Sequence, residues 1–510
     1  MESEIEIPVL PEITGGINYA EVVSKLRKTF DSGITLDLEF RKKQLKNLIR
    51  MFEECKNEIL AAQERDIRRN FFWGEVAEIE AANWEANSQL RHLKEYAGKE
   101  KLPFHIATAL DDAYVRKEPL GVVLIIGTWN LPFQTCCQAF AGAIAAGNCV
   151  IIKPSEVSPH CAQTIATLIP KYLNQNCYQV ITGDGEACKQ LLKHKFDHIF
   201  FTGSQAVGKY ILQAAAPNLT PVTLELGGLN PCFIDASADY KEATKKTIWG
   251  KLINNGQLCV APGYVMCSEK IQDFFVRHAK IVLKEFYGDN LRKSPDLPRI
   301  INKYHFNRIK NMLETTKGKI AIGGETDESD LWIEPTIVVN VDPEDSLMRE
   351  EIFGPILPII VVSSLDEAIR IIRSKSKPLA SYIFSNDQKV TQKYIESTSC
   401  GSTCINDIMW QAIRPGLPFG GVGESGMGSY HGKATFETFS HKRAVLRVSQ
   451  DIFTNQVYRI RFPPHTHFKA GVLTFLAANY ERMTIPFGTI FSHVLAGVIG
   501  AVVFYMLLSK

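Results

Sequence analysis

The sequence lacks a strong charge of either sign. Its 510 residues carry 57 Lys and Arg against 55 Asp and Glu, which gives a formal net charge of +2 at pH 7. Proteins that bind nucleic acid through its phosphates usually carry a large surplus of positive charge, and here the surplus is only two charges. We therefore expect no nucleic-acid partner.

The sequence also lacks the cysteine pattern of a small secreted scaffold and the paired ligands of a zinc site. Its twelve cysteines run from Cys55 to Cys404 without dense spacing. Cys136 and Cys137 are adjacent, and Cys400 and Cys404 have no second ligand pair nearby, so we expect no bound metal. The acidic start, MESEIEIPVLPEI, has neither the basic flank nor the long apolar core of a signal peptide. These features together indicate a reducing compartment.

The far C-terminus departs from the pattern of a soluble chain, because residues 485–508 are mostly apolar and contain no Asp, Glu, Lys or Arg. As a helix this run would span roughly 36 Å at about 1.5 Å per residue, enough for a hydrocarbon core of about 30 Å. More basic residues precede it than follow it, which would keep the large N-terminal part in the cytosol. We predict a C-terminal membrane anchor; a buried or interfacial terminal helix is the alternative.

What the sequence does contain is an α/β pattern. The first hundred residues have helical spacing of apolar side chains, most clearly over residues 40–70. Short apolar runs then alternate with helical stretches, at 121–127, 149–153, 178–183, 198–203 and 222–228. Runs that are apolar throughout and separated by helices are typical of a parallel sheet covered on both faces. This predicts a doubly wound, nucleotide-binding type of domain, and a second α/β pattern follows from about residue 230 to 415.

Several strand ends carry polar residues suited to a ligand. Lys153 and Glu156 follow one apolar run, where an ammonium donor and a carboxylate acceptor would suit ribose hydroxyls; a surface ion pair is the alternative. The segment FTGSQAVGK (201–209) joins a strand to a helix through Gly203 and Gly208. Its backbone N–H groups would favour an anion such as a pyrophosphate, or it is a plain strand–turn–helix.

Two further residues suggest chemistry. Glu225 stands at the end of an otherwise apolar strand, and burial there would raise its pKa toward a value useful for a general base. Asn130 lies in the turn GTWNLPF, where its amide could stabilise a developing oxyanion or could cap the following helix.

The stretch NNGQLCVAPG (254–263) contains Cys259 among turn-forming residues. With eleven other cysteines in the chain, composition alone favours a buried packing role for this thiol. A nucleophilic role becomes the better interpretation once the neighbouring motifs are considered together.

Together the motifs resemble the aldehyde dehydrogenase superfamily. GTWNLPF, IIKPSE, FFTGSQAVGK, TLELGG, NNGQLCVAPG, EEIFGP and LPFGGVGESGMGSYHGKATFETFSH occur in the family's order, and Cys259 follows Glu225 by the family's interval of 34 residues. The ending SGMGSYHGKATFETFSHKRA is most similar to the class 3 branch, and the apolar tail to its membrane-bound, fatty-aldehyde members. The resemblance covers roughly residues 20–450.

The resemblance implies a role for each matching residue. Cys259 would be the nucleophile, Asn130 and the Cys259 backbone N–H the oxyanion site, and Glu225 the base that activates water. The residues implied in cofactor binding are Lys153, Glu156, Gly203, Ser204, Val207, Gly208, Glu351 and Phe353. The implied cofactor is NAD, with NADP as the alternative, because Glu156 would repel a 2′-phosphate.

The resemblance also implies a domain plan. Residues 17–97 and 121–227 would form a Rossmann-like NAD-binding domain, and residues 228–414 an α/β catalytic domain. Residues 98–120 and 415–452 would form a small bridging and oligomerisation β element. Residues 453–484 would be a linker with a gating helix, and residues 485–508 the transmembrane tail anchor.

The chain departs from the class 3 pattern at a few positions. Gln205 and Glu424 stand where small residues are common, and Gly263 where Asp is usual. The run at 133–140 is less aliphatic than in relatives. These differences bear on substrate preference and cofactor choice and remove no catalytic group.

The expected function is NAD-dependent oxidation of long-chain aliphatic aldehydes to carboxylic acids. The expected form is a homodimer held by its tail at the membrane of the endoplasmic reticulum, with the catalytic part in the cytosol. The alternatives are a class 3 enzyme for aromatic or medium-chain aldehydes whose tail is an address alone, and a structural relative without activity.

Overall fold

The computed structural model describes residues 17–102 and 110–478. Within them the chain forms two compact units, residues 17–93 with 119–440, and residues 94–102 and 110–118 with 441–478. The first unit carries two parallel sheets, and the second a small antiparallel sheet.

Eighteen α-helices occur among the described residues. They are α1 Tyr19–Asp31, α2 Leu38–Glu54, α3 Lys56–Ile67, α4 Phe71–Gly74, α5 Ala81–Tyr96, α6 Pro132–Ala146, α7 Pro159–Tyr172, α8 Gly185–Leu192, α9 Gln205–Ala215, α10 Tyr240–Leu252, α11 Glu269–Tyr287, α12 Lys303–Thr315, α13 Leu365–Ser374, α14 Gln388–Ser397, α15 Trp410–Ile413, α16 Lys433–Thr438, α17 Ile452–Tyr458 and α18 His467–Ala478. A π-helical turn, Glu75–Glu80, links α4 to α5.

The strands in the same residues also number eighteen. They are β1 Glu100–Lys101, β2 Asp111–Pro119, β3 Val122–Ile126, β4 Cys149–Lys153, β5 Tyr178–Val180, β6 His198–Thr202, β7 Val222–Glu225, β8 Pro231–Ile234, β9 Tyr264–Cys267, β10 Lys319–Ile322, β11 Thr326–Asp327, β12 Trp332–Ile333, β13 Thr336–Val339, β14 Ile356–Val361, β15 Ala380–Phe384, β16 Ser402–Ile405, β17 Gly426–Met427 and β18 Ser440–Val448.

The N-terminal helices form as the apolar spacing predicts. In α2 the side chains of Leu45, Leu48 and Phe52 recur every three or four residues and are fully buried. The Asp37 side chain begins the helix by accepting a hydrogen bond from the Glu39 N–H at 3.1 Å. α2 and α6 pack together, so this apolar stripe covers the next layer of the unit.

The first sheet has the order β17-β7-β6-β3-β4-β5, with all neighbours parallel except β17. Taken in chain order, its five parallel strands are arranged 3-2-1-4-5, the arrangement of a Rossmann-like sheet. From β3 the chain adds β4 and β5 on one side of the sheet and then β6 and β7 on the other, so the strand order reverses between the adjacent strands β3 and β6. Ligands bind at the carboxyl ends of the strands at such a switch point. β3 and β4 are buried along their whole length, as their unbroken apolar runs predict. The predicted α/β fold with a Rossmann-like sheet is confirmed.

The second sheet has the order β10-β13-β14-β9-β8-β15-β16, and β10 is its antiparallel edge strand. Its central strands bury Phe233, Met266, Ile360 and Ile383 in a large apolar core. This core forms within the same compact unit as the first sheet. The predicted boundary at residues 227 and 228 stays a prediction.

The second unit is built on a three-stranded sheet of order β1-β2-β18, in the region predicted to be the bridging element. α17 begins one residue before the predicted linker, 453–484, and α18 lies within it. The bridging and gating roles stay predictions. None of the helices in residues 17–102 and 110–478 is both long and apolar enough to cross a membrane. The predicted anchor, 485–508, lies outside the described residues.

Candidate active site

A cavity of about 1800 Å³ opens in the first unit at the carboxyl end of the Rossmann-like sheet. Its walls include the residues that end three parallel strands: Lys153, Thr202 and Glu225. Ten of the eleven site residues predicted from the sequence line it: Asn130, Lys153, Glu156, Gly203, Ser204, Val207, Glu225, Cys259, Glu351 and Phe353. The eleventh, Gly208, lies beneath the wall.

Cys259 is carried by a loop between α10 and β9. Asn254, Asn255 and Gly256 take left-handed backbone conformations in succession, with φ of 50°, 55° and 76°. Asn and Gly are the residues that adopt this conformation at least cost. A side chain on Gly256 would overlap the Gly354 carbonyl oxygen, because its Cβ would lie 2.2 Å away. The sequence NNG therefore lets the cysteine loop pass close to the loop that carries Glu351 and Phe353.

The thiol of Cys259 is half-buried. Burial raises the pKa of the Cys259 thiol to about 12, and the nearby carboxylates of Glu351 and Glu225 add to the rise. The thiol in this setting is protonated at neutral pH, so attack requires removal of its proton.

Asn230 holds the cysteine loop in place. Its fully buried amide donates hydrogen bonds to the carbonyl oxygens of Cys259 at 2.8 Å and Ala261 at 2.9 Å. Its side-chain oxygen accepts from the Ala380 N–H at 2.9 Å. The Gly263 N–H donates to the Asn230 carbonyl at 2.7 Å. Any Cβ at position 263 would lie 2.8 Å from the Asn230 backbone nitrogen, which explains why this chain has Gly there.

Asn130 follows β3 and is buried, 3 % exposed. Its side-chain amide donates to the Gln257 carbonyl at 3.0 Å, which brings it beside the cysteine loop. The N-cap residue of α6 is Leu131, so the capping alternative for Asn130 is wrong. An amide that bonds with one N–H to the cysteine loop keeps its second N–H for another acceptor.

Glu225 ends β7 and is 3 % exposed. Neither of its carboxyl oxygens accepts a hydrogen bond from any residue that the structure describes. Burial raises the pKa of the Glu225 carboxyl well above its ordinary value. Once its proton has left, such a carboxylate can act as a general base. Because its pKa is raised, it accepts a proton more strongly than an ordinary carboxylate does.

Glu351 and Phe353 share a loop between a short helical turn and β14. Arg308 fixes this loop by donating to the carbonyl oxygens of Glu351 at 3.1 Å and Ile352 at 2.6 Å. Phe353 has a φ of 52°, a strained value for a residue of its size. A Cβ on Gly227 would lie 1.9 Å from a Glu351 carboxyl oxygen, so the carboxyl rests directly on glycine backbone.

Burial raises the pKa of the Glu351 carboxyl to about 8, while the Gly228 N–H, Lys251 and Arg308 oppose the rise. Burial also lowers the pKa of the Lys251 ammonium to about 7. Lys251 is 3 % exposed and donates to the Pro262 carbonyl at 3.1 Å. The site thus holds several titratable groups whose pKa values lie near or above neutrality, which is typical of catalytic sites.

The remaining predicted residues form the opposite wall. Lys153 is buried at the end of β4 and pairs with the exposed Glu156 carboxylate. Ser204 is the N-cap of α9, and its hydroxyl accepts from the Val207 N–H at 3.4 Å. Gly203 donates its N–H to the Glu225 carbonyl at 3.0 Å.

Gly208 packs beneath this turn, where a Cβ would lie 2.9 Å from the Leu226 side chain. Its small size lets α9 sit close to β7. Across residues 17–102 and 110–478, no cluster of His, Cys, Asp and Glu side chains is arranged to hold a metal ion.

Comparison with known proteins places this geometry in a family. A family model described as the aldehyde dehydrogenase family matches residues 16–445. The chain belongs to the aldehyde dehydrogenase family. It is therefore an oxidoreductase of the aldehyde group by membership, as its motifs predicted.

Two rat relatives agree with this aldehyde dehydrogenase assignment. One, named "Aldehyde dehydrogenase, dimeric NADP-preferring", is 46 % identical over 88 % of this chain and 98 % of its own length. The other, named "Aldehyde dehydrogenase family 3 member A2", is 47 % identical over 88 % of this chain and 92 % of its own length. The predicted class 3 membership is confirmed.

A solved structure matches the aldehyde dehydrogenase fold along most of the chain. The substrate-bound state of Staphylococcus aureus AldH superposes with a TM-score of 0.87 at 38 % identity. The match covers 90 % of this chain and 99 % of that one.

The motifs did not identify all the residues that shape this site. They missed Arg69, Glu78, Asn230, Lys251, Asn254 and Arg308. Asn254 had a readable signal, since Asn-Asn-Gly is a sequence that favours consecutive left-handed residues. The others lie outside the motifs, although Asn230 stands just beyond TLELGG, and most of their partners are distant in the chain.

Proposed function

We propose that this chain oxidises long-chain aliphatic aldehydes to carboxylic acids with NAD, through a covalent thioester on Cys259. The observation that carries the proposal is the shared cavity, because nucleophile, amide donor, buried carboxyl and cofactor-type residues all line it. A site for hydride transfer from an aldehyde needs these groups around one carbon atom.

The residues of the wall between β4 and β6 fit a dinucleotide. The first N–H groups of α9 have no carbonyl partners within their own helix and face an anion favourably. Buried Lys153 offers an ammonium beside the Glu156 carboxylate, a donor and an acceptor suited to a ribose. Glu351 and Phe353 would hold the nicotinamide end. The bound nicotinamide would supply the acceptor for the hydride.

In the first step the Cys259 sulfur attacks the aldehyde carbonyl carbon. The thiol proton leaves to a neighbouring carboxyl group in its ionised form, and a thiohemiacetal oxyanion forms. The free Asn130 N–H and the Cys259 backbone N–H would donate to this oxyanion. Loss of hydride from the same carbon then leaves a thioester on Cys259.

In the second step water hydrolyses the thioester. Glu225 in its ionised form would take a proton from the water as the water attacks the carbonyl carbon. The carbon–sulfur bond breaks, the sulfur regains a proton, and the carboxylic acid leaves. Burial of Glu225 raises the pKa of this base and therefore its affinity for the proton.

The cavity wall supports an apolar substrate. Large apolar side chains from α4, the π-helical turn, α5, α10 and α15 line it: Phe72, Trp73, Val76, Trp84, Trp249, Trp410 and Ile413. We call this set the aromatic wall. The ring centroids of Phe72 and Trp73 are 5.2 Å apart, and those of Trp73 and Trp249 6.0 Å apart. Transfer of an alkyl chain from water onto these rings would favour binding by about 0.8 kcal/mol for each CH₂ group that is buried.

We propose that residues 485–508 anchor the enzyme at the cytosolic face of the endoplasmic reticulum and that it acts as a homodimer. An anchored enzyme meets aldehydes that partition into the bilayer. Replacing Ala496 by Arg in the full-length chain would put a charge at the centre of the apolar run, at a cost of about 3 kcal/mol. We expect that variant to shift from the membrane pellet to the supernatant in fractionation; retention at wild-type level would contradict the anchor.

The test of the activity is NADH formation by detergent-extracted full-length protein with acetaldehyde, hexanal, hexadecanal and benzaldehyde. We expect kcat/KM to rise with chain length, and Cys259→Ser to abolish NADH formation. A Cys259→Ser rate within tenfold of wild type would refute the nucleophile.

A second candidate function is oxidation of aromatic aldehydes, which the aromatic wall favours because flat rings stack on Trp side chains. A kcat/KM for benzaldehyde above that for hexadecanal would replace the first proposal by this one. Absence of NADH formation with every aldehyde would point to a structural relative.

A further inference from the structure

Arg69 and Glu78 form a buried ion pair at the back of the active site. Arg69 lies between α3 and α4, and Glu78 lies in the π-helical turn that follows. Their side chains are 2 % and 0 % exposed. Neither residue belongs to a motif, and neither has a role in the chemistry proposed above.

Arg69 uses all five of its N–H groups on protein acceptors. Nη1 donates to the side chains of Glu78 and, at 3.2 Å, Gln63. Nη2 donates to the Asn130 carbonyl oxygen and, at 3.0 Å, to Oδ1 of Asn254. Nε donates to the same Asn254 oxygen at 3.3 Å. One guanidinium therefore connects the turn after β3 to the loop before β9.

Those two segments carry the two arms of the oxyanion site. Asn254 passes the connection onward, because its amide donates to the carbonyls of Gln257 at 3.1 Å and Asn130 at 3.4 Å. The Asn130 amide donates to the same Gln257 carbonyl at 3.0 Å. Gln257 stands two residues before Cys259, so the ring of bonds closes beside the nucleophile.

Glu78 fixes the third side of this arrangement. Its second carboxyl oxygen accepts from the N–H groups of Phe133 at 2.8 Å and Gln134 at 2.9 Å, in the first turn of α6. α6 begins two residues after Asn130. Two contacts therefore position Asn130. Arg69 binds its carbonyl oxygen, and Glu78 fixes the start of α6, the helix that follows Asn130 in the chain.

Stability alone is a weak reason for such a pair, because a buried ion pair often stabilises a fold no better than apolar side chains of similar size. The π-helical turn that presents Glu78 is also an uncommon element, and such turns occur frequently at functional sites. Both observations suit a positioning role better than a packing role.

We propose that the Arg69–Glu78 pair is a positioning device that sets the separation of Asn130 and Cys259, so that both N–H donors reach one oxyanion. The inference rests on the proposed function, since it assigns the pair to the oxyanion arms of that mechanism. A displacement of about 1 Å at such a site costs up to about 100-fold in rate.

The test compares four full-length variants with the wild type. Arg69→Met/Glu78→Gln removes the charge pair while leaving no unpaired buried charge, and Arg69→Met alone is the more severe variant. Arg69→Lys keeps the charge. Arg41→Met is the matched control, because Arg41 is also buried and donates to the Ala145 carbonyl at 3.1 Å, at the opposite end of α6.

The readouts are kcat and KM for the best aldehyde, the alkylation rate of Cys259 by iodoacetamide, and the thermal unfolding midpoint. We expect Arg69→Met/Glu78→Gln to lower kcat at least about 20-fold with KM changed less than threefold, since the lost contacts matter for the transition state. Arg69→Lys should recover kcat only in part, because an ammonium keeps the charge but cannot make the five hydrogen bonds of the guanidinium. The double variant should also change the alkylation rate at least threefold.

The control separates positioning from folding. Arg41→Met should lower the unfolding midpoint and leave kcat per folded molecule within twofold of wild type. A folded Arg69→Met/Glu78→Gln variant with kcat within threefold of wild type would overturn the inference, and so would an equal loss of kcat in Arg41→Met. Wild-type protein that forms no NADH would instead overturn the proposed function, and the alkylation rates would still test the pair.

Discussion

Replacement of Asn230 by Ala is the perturbation with the clearest expected outcome. The Asn230 side chain makes three buried hydrogen bonds, two to the Cys259 and Ala261 carbonyls and one from the Ala380 N–H. Alanine satisfies none of them. The variant leaves three polar backbone groups without this partner and frees the peptide that carries Cys259, the proposed nucleophile.

The size of the effect follows from those three bonds. A buried polar group that loses its partner costs about 1–3 kcal/mol. Three such groups sum to roughly 3–9 kcal/mol if the loop stays in place, and to less if water enters and repairs some bonds. We expect a clear drop in the thermal midpoint and a fall in kcat of about 10- to 100-fold, because a shifted Cys259 no longer faces its oxyanion donors.

The chain offers a matched control at Asn148. Its buried amide donates to the carbonyls of Phe439 at 2.9 Å and Ala143 at 3.3 Å, and its oxygen accepts from the Gly121 N–H at 2.9 Å. Asn148→Ala therefore loses the same three kinds of bond. Asn148 precedes β4, whose opposite end carries Lys153 in the cavity wall.

The assay is thermal unfolding of both variants together with kcat and KM per folded molecule. We expect similar drops in the midpoint, and a loss of kcat in Asn230→Ala alone. If both variants lose kcat equally, the Asn230 contacts act through stability and the reasoning is refuted. The same holds if Asn230→Ala keeps its full kcat.

Three further predictions concern the Cys259 thiol, the backbone at Gly227 and the preference between NAD and NADP. Since the pKa of the Cys259 thiol is raised to about 12, its alkylation by iodoacetamide without aldehyde or cofactor should rise close to tenfold per pH unit from pH 7 to 9, and a plateau in that range would contradict the raised pKa. Gly227→Ala should displace the Glu351 carboxyl and lower kcat/KM at least about tenfold in steady-state assays with NAD, because the new Cβ would lie 1.9 Å from its oxygen; unchanged kinetics would refute this contact. Glu156→Gln should raise the ratio of kcat/KM with NADP to that with NAD at least about fivefold by removing a carboxylate beside the ribose site, and an unchanged ratio would show that Glu156 does not select the cofactor.

The sequence predicted the parts of this protein that depend on local pattern. The runs at 149–153 and 198–203 became β4 and β6 because an unbroken apolar stretch between turns has few stable arrangements other than a buried strand. Lys153 and Gly203, predicted from the ends of those strands, line one cavity, because the carboxyl ends of parallel strands share one edge of a sheet. Their roles stay predictions.

The sequence could not predict contacts between distant segments. Asn230 follows a motif directly, yet its three partners lie 29 to 150 positions away. Arg69 reads as one of several charged residues after a helix, and its burial depends on the packing of four separate segments. The roles of such residues depend on contacts made in the tertiary structure, and a single sequence contains no direct record of those contacts.

The contacts also explain why the cysteine loop and the Phe353 loop can each hold a strained backbone in a single conformation. Asn254, Asn255 and Phe353 occupy left-handed conformations that are costly for residues other than glycine. Strain of this kind persists when the surroundings fix the backbone more tightly than its own preferences oppose it. Asn230 holds the cysteine loop from one side, and Arg69 holds it from the other through Asn254. Arg308 holds the Phe353 loop by donating hydrogen bonds to two successive carbonyl oxygens. In the proposed mechanism these donors lie outside the reaction itself, so Cys259 and Asn130 would not need to reorganise when an aldehyde binds. A preorganised site of that kind lowers the barrier to forming an oxyanion.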